Sequence, residues 1–274
     1  MKEFTFGICT YNSSDFILET LESVKYQVKN YGNNICTNLV LTDDSSSDNT
    51  VNIVEEWLNY NGNLFNHVTF LKHEKNKGIA HNYVELLRNI YTEYFIKIDG
   101  DDLLASGNIY EKCFDVDKNE CKVYFPMRYN EKTGIYYTEN DRDNMIYYSN
   151  RKHDNMHDLR LIETLKPFIT PEIVITRSNF TDECLKFVEK FTQFEDDPSI
   201  WFIFRTNRNI KLSFSMEPIV LYRVHNKSLS NGGESIHQIH FLDDLCKFKK
   251  IMLKTEKNIG TKFFCLQQLG IHFL

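Results

Sequence analysis

Three closely spaced carboxylates follow a short apolar run in the first half of the chain. The run covers residues 94–98, and Asp99, Asp101 and Asp102 come directly after it. Apolar and β-branched residues that end in acidic ones indicate a buried strand with a charged C-terminal end. Neighbouring carboxylates repel one another unless a cation lies among them, and their oxygens suit Mg²⁺ or Mn²⁺. The pattern predicts a metal site, with a solvated turn as the alternative.

A second acidic cluster lies further along the chain, and its carboxylates are candidates for proton transfer. Glu195, Asp196 and Asp197 directly precede the apolar run at residues 200–204. Repulsion within the cluster raises the pKa of a carboxyl group, which favours proton abstraction near neutral pH. The alternative is that the three charges stabilise the N-terminus of a following helix. We favour Asp196 as the base, and Asp197 remains open because the register of the cluster is ambiguous.

The elements that must position these groups alternate regularly over the first hundred residues. Strand-like runs at residues 4–9, 38–42, 67–71 and 94–98 are separated by stretches with apolar residues at helical spacing. This alternation predicts right-handed crossovers and an α/β fold with a mostly parallel, doubly wound sheet. Ligands bind outside the carboxyl ends of such strands. The polar residues at those ends are Thr10, Tyr11, Asn12, Asp43, Asp44, residues 73–78 and residues 99–102.

The second half of the chain is less regular. Residues 141–161 are rich in charge and tyrosine without a clear period, so we expect irregular excursions that shape a binding surface. After residue 235, an apolar stripe at helical spacing predicts a helix packed on the catalytic domain or on a second subunit. The stripe is Phe241, Leu245, Phe248 and Met252, and strands are expected at residues 122–129, 172–176 and 219–223.

These elements suggest two regions. Residues 1–234 would form the catalytic domain, with a nucleotide-binding half at 1–102 and an acceptor half at 103–234. Residues 235–274 would form a helical C-terminal extension, which deletion of residues 258–274 would test through solubility or dimer formation. The apolar end of this extension is expected to pack on the core or to touch a membrane surface.

Composition narrows the classes of protein. A net charge of −6 with scattered Lys and Arg argues against nucleic-acid binding. The seven cysteines include no C-x-x-C pair, which indicates reduced thiols and a cytoplasmic location. No apolar run reaches the length of a membrane span, and the first residues are too polar for a signal peptide.

Several short motifs, taken in order, carry a family resemblance. They are Thr10-Tyr11-Asn12, Leu21 to Val24 with Gln27, Leu41 to Thr50, Asn76-Lys77-Gly78 with Asn82, Asp99-Gly100-Asp101-Asp102, Glu195-Asp196, and Tyr222 to His225 with Ser228 and Ser230. Across roughly residues 4–231, the chain resembles GT-A glycosyltransferases of the family 2 type, which build bacterial surface polysaccharides such as capsule or O-antigen. One departure is Ser45, which stands where glycine is more common.

The resemblance implies an inverting transfer of sugar from a nucleotide-diphosphate donor, most simply a UDP-sugar, to a hydroxyl of a glycan or lipid-linked acceptor. It implies Mn²⁺ or Mg²⁺ held by Asp101, with Asp99 assisting through water or the ribose and His225 as a third ligand. Asp196 would be the base, and Glu195, Arg223 and His225 would form a substrate loop.

Nucleotide contacts are also implied. Asp44 would accept a hydrogen bond from the uracil imide, with helix capping as the alternative, and Thr10 and Tyr11 would line the base pocket. The remaining nucleotide-binding positions are Asn12, Gly78, Asn82, Asp99 and Gly100. With one base and no second carboxylate placed as a nucleophile, we expect inversion. A homodimer through the C-terminal helices and peripheral membrane contact complete the expected partners.

Two other functions fit the sequence less well. A nucleotidyltransferase would need an early glycine-rich triphosphate loop, and none follows residues 4–9. A non-catalytic carbohydrate-binding relative would have no need to retain clusters of mutually repelling carboxylates. The donor sugar and the acceptor are left open by the sequence.

Overall fold

The central element of the protein is a parallel four-stranded sheet. The computed structural model describes residues 1–165, 172–225 and 236–255. The sheet has the order β3-β2-β1-β4, and all its pairings are parallel. Its strands are β1 (Lys2–Thr10), β2 (Ile35–Asp43), β3 (His67–Lys72) and β4 (Phe95–Asp99). Seven consecutive residues of β1 are buried, because helices cover both faces of the sheet.

Three helices pack against the two faces of this sheet: α1 (Ile17–Tyr31), α2 (Thr50–Asn61) and α3 (Ile79–Arg88). Apolar residues of α1 and α2 pack with Phe4, Phe6 and Ile8 of β1 in one core cluster. Apolar residues of α3 pack with Cys9 and Val40 in a second cluster on the opposite face. The predicted doubly wound α/β fold is confirmed.

The single strand predicted at residues 122–129 is wrong, because two strands of different sheets occupy this stretch. Strand β6 (Glu120–Tyr124) pairs with β9 (Ile173–Ile175) and β10 (Lys211–Ser215), and β7 (Met127–Asn130) joins another sheet. The break comes at Pro126, which has no N–H to donate to a continuing ladder. The three-stranded sheet has the order β10-β6-β9. The sheet that contains β7 has the order β5-β11-β7-β8, where β5 is Leu103–Leu104, β8 is Gly134–Tyr136 and β11 is Val220–Arg223.

The expectation of irregular structure at residues 141–161 is also wrong, because two helices form here. Helix α5 (Glu139–Ser149) begins with a capping box between Thr138 and Asp141, and α6 (Asn155–Leu165) follows. Helix α5 buries only two side chains, so its sequence shows no apolar period. The other helices of this half are α4 (Ile109–Phe114), α7 (Asp182–Val188) and α8 (Asp196–Thr206).

The last described element is helix α9 (Ile236–Thr255). Phe248 and Met252, two residues of the predicted stripe, are buried in the same core cluster as α3 and α8. The helix therefore packs on α3 and α8 of the same chain, which agrees with the first of the two expected alternatives. The expectations for residues 258–274 lie outside the described residues. Within the described part of the chain, no helix is long and apolar enough to cross a membrane.

Candidate active site

The ends of β1, β2 and β4 meet at one edge of the parallel sheet. Thr10 pairs in register with Asp43 of β2, and Cys9 pairs with Asp99 of β4. Parallel strands point their carboxyl ends the same way, so the polar residues that follow them share this edge. The structure thus brings to one edge Asp43 and Asp99, which stand 56 positions apart in the chain.

The turn after β4 passes closely over the end of β1. Gly100 donates its N–H to the carbonyl oxygen of Cys9 at 2.8 Å. A Cβ at Gly100 would lie 2.7 Å from Oγ1 of Thr10, which is too close for any side chain. The hydroxyl of Thr20 donates to the carbonyl oxygen of Asp102 at 2.7 Å. The turn that carries the carboxylates is therefore fixed from both sides.

Within this turn, Asp102 differs from its two neighbours. It is buried, its Oδ1 accepts the N–H of Arg223 at 2.8 Å, and burial raises its pKa well above the ordinary value. The side chains of Asp99 and Asp101 are 34% and 33% exposed. Asp102 therefore anchors the turn, while Asp99 and Asp101 are open to a ligand.

Arg223 supports the same turn from below. It is 1% exposed, and its Nε donates to the carbonyl oxygen of Asp101 at 2.7 Å. The guanidinium lies 5.0 Å from the ring centroids of both Phe16 and Tyr129, and Nη2 donates to Glu19 at 2.6 Å. The sequence predicted Arg223 in a substrate loop, whereas its place beneath Asp101 makes it a support for the turn.

His225 contacts the same aspartate. Its Nε2 lies 3.0 Å from Oδ2 of Asp101, which is a hydrogen bond between the two side chains. Adjacent ligands of an octahedral ion at about 2.1 Å are also separated by about 3.0 Å, so the distance is compatible with both side chains binding one divalent ion such as Mn²⁺. Among the described residues, no three His, Cys, Asp or Glu side chains converge on one point. The pair would thus need oxygens from water or a bound phosphate to complete the coordination.

A lysine that sequence reasoning missed connects the two acidic clusters. Lys97 is largely buried, and its Nζ lies 2.8 Å from Oδ2 of Asp99 and 4.0 Å from Oε1 of Glu195. Burial would lower the pKa of Lys97, yet the charges of Asp99, Asp196 and Glu195 raise it well above the ordinary value. Its signal in the sequence was a charged residue within an apolar strand, two positions from Asp99 and so on the same face.

The second cluster stands at the start of α8. Glu195 is buried and Asp196 is half-buried, and Oδ1 of Asp196 has no hydrogen-bond partner among the described residues. Burial and the charge of Glu195 raise the pKa of Asp196 well above the ordinary value, against the opposing effect of Lys97. The raised pKa suits this carboxylate to accept a proton, and because Oδ1 itself is buried the side chain would have to turn toward the sheet edge to meet a hydroxyl.

Asp44 has a structural task in addition to the predicted one. It is 2% exposed, and its two oxygens accept the N–H groups of Lys77 at 2.9 Å and Gly78 at 2.8 Å. The carboxylate therefore organises the loop at residues 73–78, and a nucleobase imide would have to share one of these oxygens. Asn82 is buried likewise, and its side-chain amide donates to the carbonyl oxygen of Thr10 at 3.3 Å.

The residues after β1 present an exposed aromatic side chain at this edge. Thr10 is buried, whereas Tyr11 is exposed. Asn12 has a φ of 49° and accepts the N–H of Ser47 at 2.8 Å, which ties the loop after β1 to the loop after β2. Tyr11 is therefore the aromatic group in this loop that is free to stack on a ligand.

Comparisons with known proteins agree with this geometry. Residues 5–161 match the family model described as glycosyl transferase family 2. A teichoic acid poly(glycerol phosphate) polymerase of Staphylococcus epidermidis is 25% identical over 221 residues, which are 72% of this chain and 28% of that protein. An uncharacterised glycosyltransferase of Mycoplasma genitalium is 27% identical over 174 residues, 57% of this chain and 56% of that protein. The chain thus spans well under two thirds of either relative.

Solved structures show the same fold. The TarS fragment of Staphylococcus aureus in complex with UDP gives a TM-score of 0.65 at 19% identity, covering 100% of this chain and 72% of that one. The mannosyltransferase PcManGT of Pyrobaculum calidifontis, in complex with GDP-Man and Mn²⁺, gives 0.63 at 15% identity, covering 97% and 68%. At these identities the likeness concerns the fold alone.

Proposed function

The chain belongs to glycosyl transferase family 2, and from this premise we propose that it is an inverting, metal-dependent enzyme that uses a UDP-sugar. The sugar would be transferred to a hydroxyl group of a glycan or of a lipid-linked acceptor during the synthesis of a surface polysaccharide. A cytoplasmic location and a homodimer through the C-terminal helices stay predictions.

The observation that carries this proposal is the link between the two acidic clusters. Lys97 lies between Asp99, in the turn at residues 99–102 that would hold the metal (the metal turn), and Glu195, beside the proposed base. A leaving diphosphate and an acceptor hydroxyl must be held a few ångströms apart for a single displacement. The link through Lys97 gives the proposed donor side and the proposed base this proximity.

In the proposed mechanism, Asp101 and His225 would hold a divalent ion, which would supply electrostatic stabilisation of the negative charge on the departing diphosphate. The carboxylate of Asp196, whose pKa is raised by burial and by the charge of Glu195, would accept the proton of the acceptor hydroxyl as the hydroxyl oxygen attacks the anomeric carbon. The bond from that carbon to the diphosphate breaks on the opposite face. Arg223 and Asp102 keep the metal turn in place throughout.

We propose uridine as the nucleoside because TarS, the first of the solved structures compared, is in complex with UDP or with UDP-GlcNAc. PcManGT is in complex with GDP-Man, so the donor screen includes guanosine as the alternative. The polymerase relative acts, by its name, on a poly(glycerol phosphate) chain, which supports a cell-surface polymer as the acceptor class.

A donor screen tests the proposal. Purified protein is incubated with UDP-, GDP-, CDP- and dTDP-sugars, with Mn²⁺ or with EDTA, and release of the nucleoside diphosphate is measured. We expect release from a UDP-sugar that requires the metal and increases when an acceptor is added. Release of pyrophosphate from a nucleoside triphosphate and a sugar phosphate, with no diphosphate release, would indicate the nucleotidyltransferase alternative.

The stereochemistry gives a further prediction. Asp196 acts as a base in the proposed mechanism, and no covalent glycosyl-enzyme forms, so an α-linked donor should yield a β-glycoside. Proton NMR of the first product measures the anomeric coupling directly. A product that keeps the α configuration would reject the single displacement.

Lys97→Met should lower the activity, because it removes the positive charge beside Glu195 and Asp196. Lys97 lowers the pKa values of Glu195 and Asp196, so its removal should raise the pKa of the base and move the acid limb of the rate profile to higher pH. The unpaired buried carboxylates should also cost on the order of 3 kcal/mol of unfolding free energy. Lys29→Met, on the exposed face of α1, is the matched control. Identical acid limbs in the two variants would contradict the prediction.

A further inference from the structure

Helix α9 is hydrogen-bonded to the segment that precedes the proposed catalytic pair. Asp244 of α9 is 6% exposed. Its Oδ2 accepts two consecutive backbone N–H groups, from Thr192 at 2.6 Å and from Gln193 at 2.7 Å. Charge-assisted hydrogen bonds of this length, made by a buried carboxylate, hold a backbone segment firmly. Asp196, the first residue of α8, stands three residues after Gln193, so only Phe194 and Glu195 lie between the hydrogen-bonded segment and the proposed base.

Aromatic packing fixes the same segment to the same helix. The ring of Phe248 in α9 lies 5.9 Å from that of Phe191 and 5.7 Å from that of Phe194. Phe241, two helical turns before Phe248, lies 5.3 Å from Phe194. These rings stand on both sides of the two hydrogen bonds, so α9 determines the path of residues 191–194.

The opposite side of the segment touches the loop organised by Asp44. The carbonyl oxygen of Thr192 accepts the N–H of Ala80 at 3.1 Å, at the start of α3. A Cβ at Gly78 would lie 2.4 Å from that oxygen, and Gly78 has a φ of 95°. The Thr192 peptide therefore lies between α9 and the loop at residues 73–78, with no room for it to shift toward α3.

We propose that Asp244 is a positioning residue that fixes Asp196 relative to the nucleotide-binding loop, which makes α9 part of the active site. The inference rests on the proposed function for the role of Asp196. Removal of the carboxylate leaves two backbone N–H groups without an acceptor and releases residues 191–194 from α9. A base displaced by about 1 Å from its productive position lowers the rate by about 10²-fold.

Three variants separate positioning from general stability. Asp244→Ala removes both hydrogen bonds, and Asp244→Asn keeps one oxygen that is able to accept them. Asp243→Ala is the control, because Asp243 is exposed on the same helix and its loss changes the net charge equally. All measurements are made well below the lowest melting temperature, on the full chain.

The first readout does not need turnover. Hydrogen exchange followed by mass spectrometry compares peptides covering residues 191–197 with reference peptides from β1 and β2. We expect exchange in residues 191–197 to be at least tenfold faster in Asp244→Ala, nearer to wild type in Asp244→Asn, and unchanged in Asp243→Ala. Equal rates in Asp244→Ala and Asp243→Ala would overturn the proposal whichever sugar the enzyme uses.

The second readout uses the UDP-sugar found active in the donor screen. In Asp244→Ala we expect kcat to fall about 30-fold or more, while KM for the donor and the Kd for UDP change less than threefold. Asp244→Asn should recover most of kcat. Faster exchange with unchanged kcat would also overturn the proposal. If wild type cleaves no nucleotide sugar, the proposed function fails, and the exchange measurement alone decides whether Asp244 holds the segment.

Discussion

Asp196→Asn should reduce kcat by about 10³-fold while leaving the affinity for UDP within a factor of two. An amide has the shape of the carboxylate but cannot take the acceptor proton, and a positioned general base contributes about 10²–10⁴-fold to a rate. Steady-state kinetics with the active donor, together with titration calorimetry of UDP, separates the two effects. Burial disfavours the charged form of this side chain, so the melting temperature should not fall.

Asp197→Asn is the matched control, because it neutralises the next carboxylate of the same helix turn. We expect at most a few-fold loss there. A larger loss in Asp197→Asn than in Asp196→Asn would move the base by one residue, an alternative that the sequence leaves open.

The pH dependence follows from the same carboxylate. The proposed base must be ionised to act, and burial with the neighbouring charge of Glu195 raises the pKa of Asp196. An ordinary aspartate has a pKa of about 3.9, so the acid limb of the wild-type kcat profile should lie clearly above that value. In Asp196→Asn this limb should disappear. A wild-type limb at or below about pH 4 would contradict the assignment.

Asp101→Ala should abolish metal-dependent turnover, with a loss of about 10³-fold or more. In the proposed mechanism the side chain would supply one of two protein ligands to the divalent ion, and His225 alone would leave the diphosphate without its counter-charge. Binding of UDP with and without Mn²⁺ gives an independent measurement: wild type should bind more tightly with Mn²⁺, and the variant should show no such difference.

His225→Ala and Asp182→Ala complete this experiment. Loss of the second ligand should weaken the Mn²⁺ effect by about tenfold, whereas Asp182, exposed at the start of α7, should show wild-type behaviour. Full activity of Asp101→Ala in Mn²⁺, or after treatment with EDTA, would refute the metal assignment.

Much of the nucleotide-binding half could be predicted from the sequence, because its signals are local. Each parallel strand buried on both faces is a continuous apolar run, and its end is marked by the first polar residues. The positions of Thr10, Asp44 and Asp99 at one sheet edge follow from this alternation alone. The second half contains short strands and helices with few buried residues each, so periodicity missed α5 and α6 and joined β6 to β7.

What each side chain does at that edge was decided only by tertiary contacts. Asp101 and His225 are 124 positions apart in the chain, yet their side chains lie 3.0 Å apart. No local pattern indicates that Arg223 lies beneath the metal turn, because its burial depends on rings from two other elements.

Lys97 and Asp244 illustrate the same limit. Asp244 is stable in a buried position because Thr192 and Gln193, about fifty positions earlier, supply its partners, and Lys97 has the distant Glu195 beside it as well as the neighbouring Asp99. The sequence by itself determined which residue types gather at the sheet edge. The tertiary structure decided which of them face the ligand and which hold the others in place, because that depends on burial and on hydrogen-bond partners far apart in the chain.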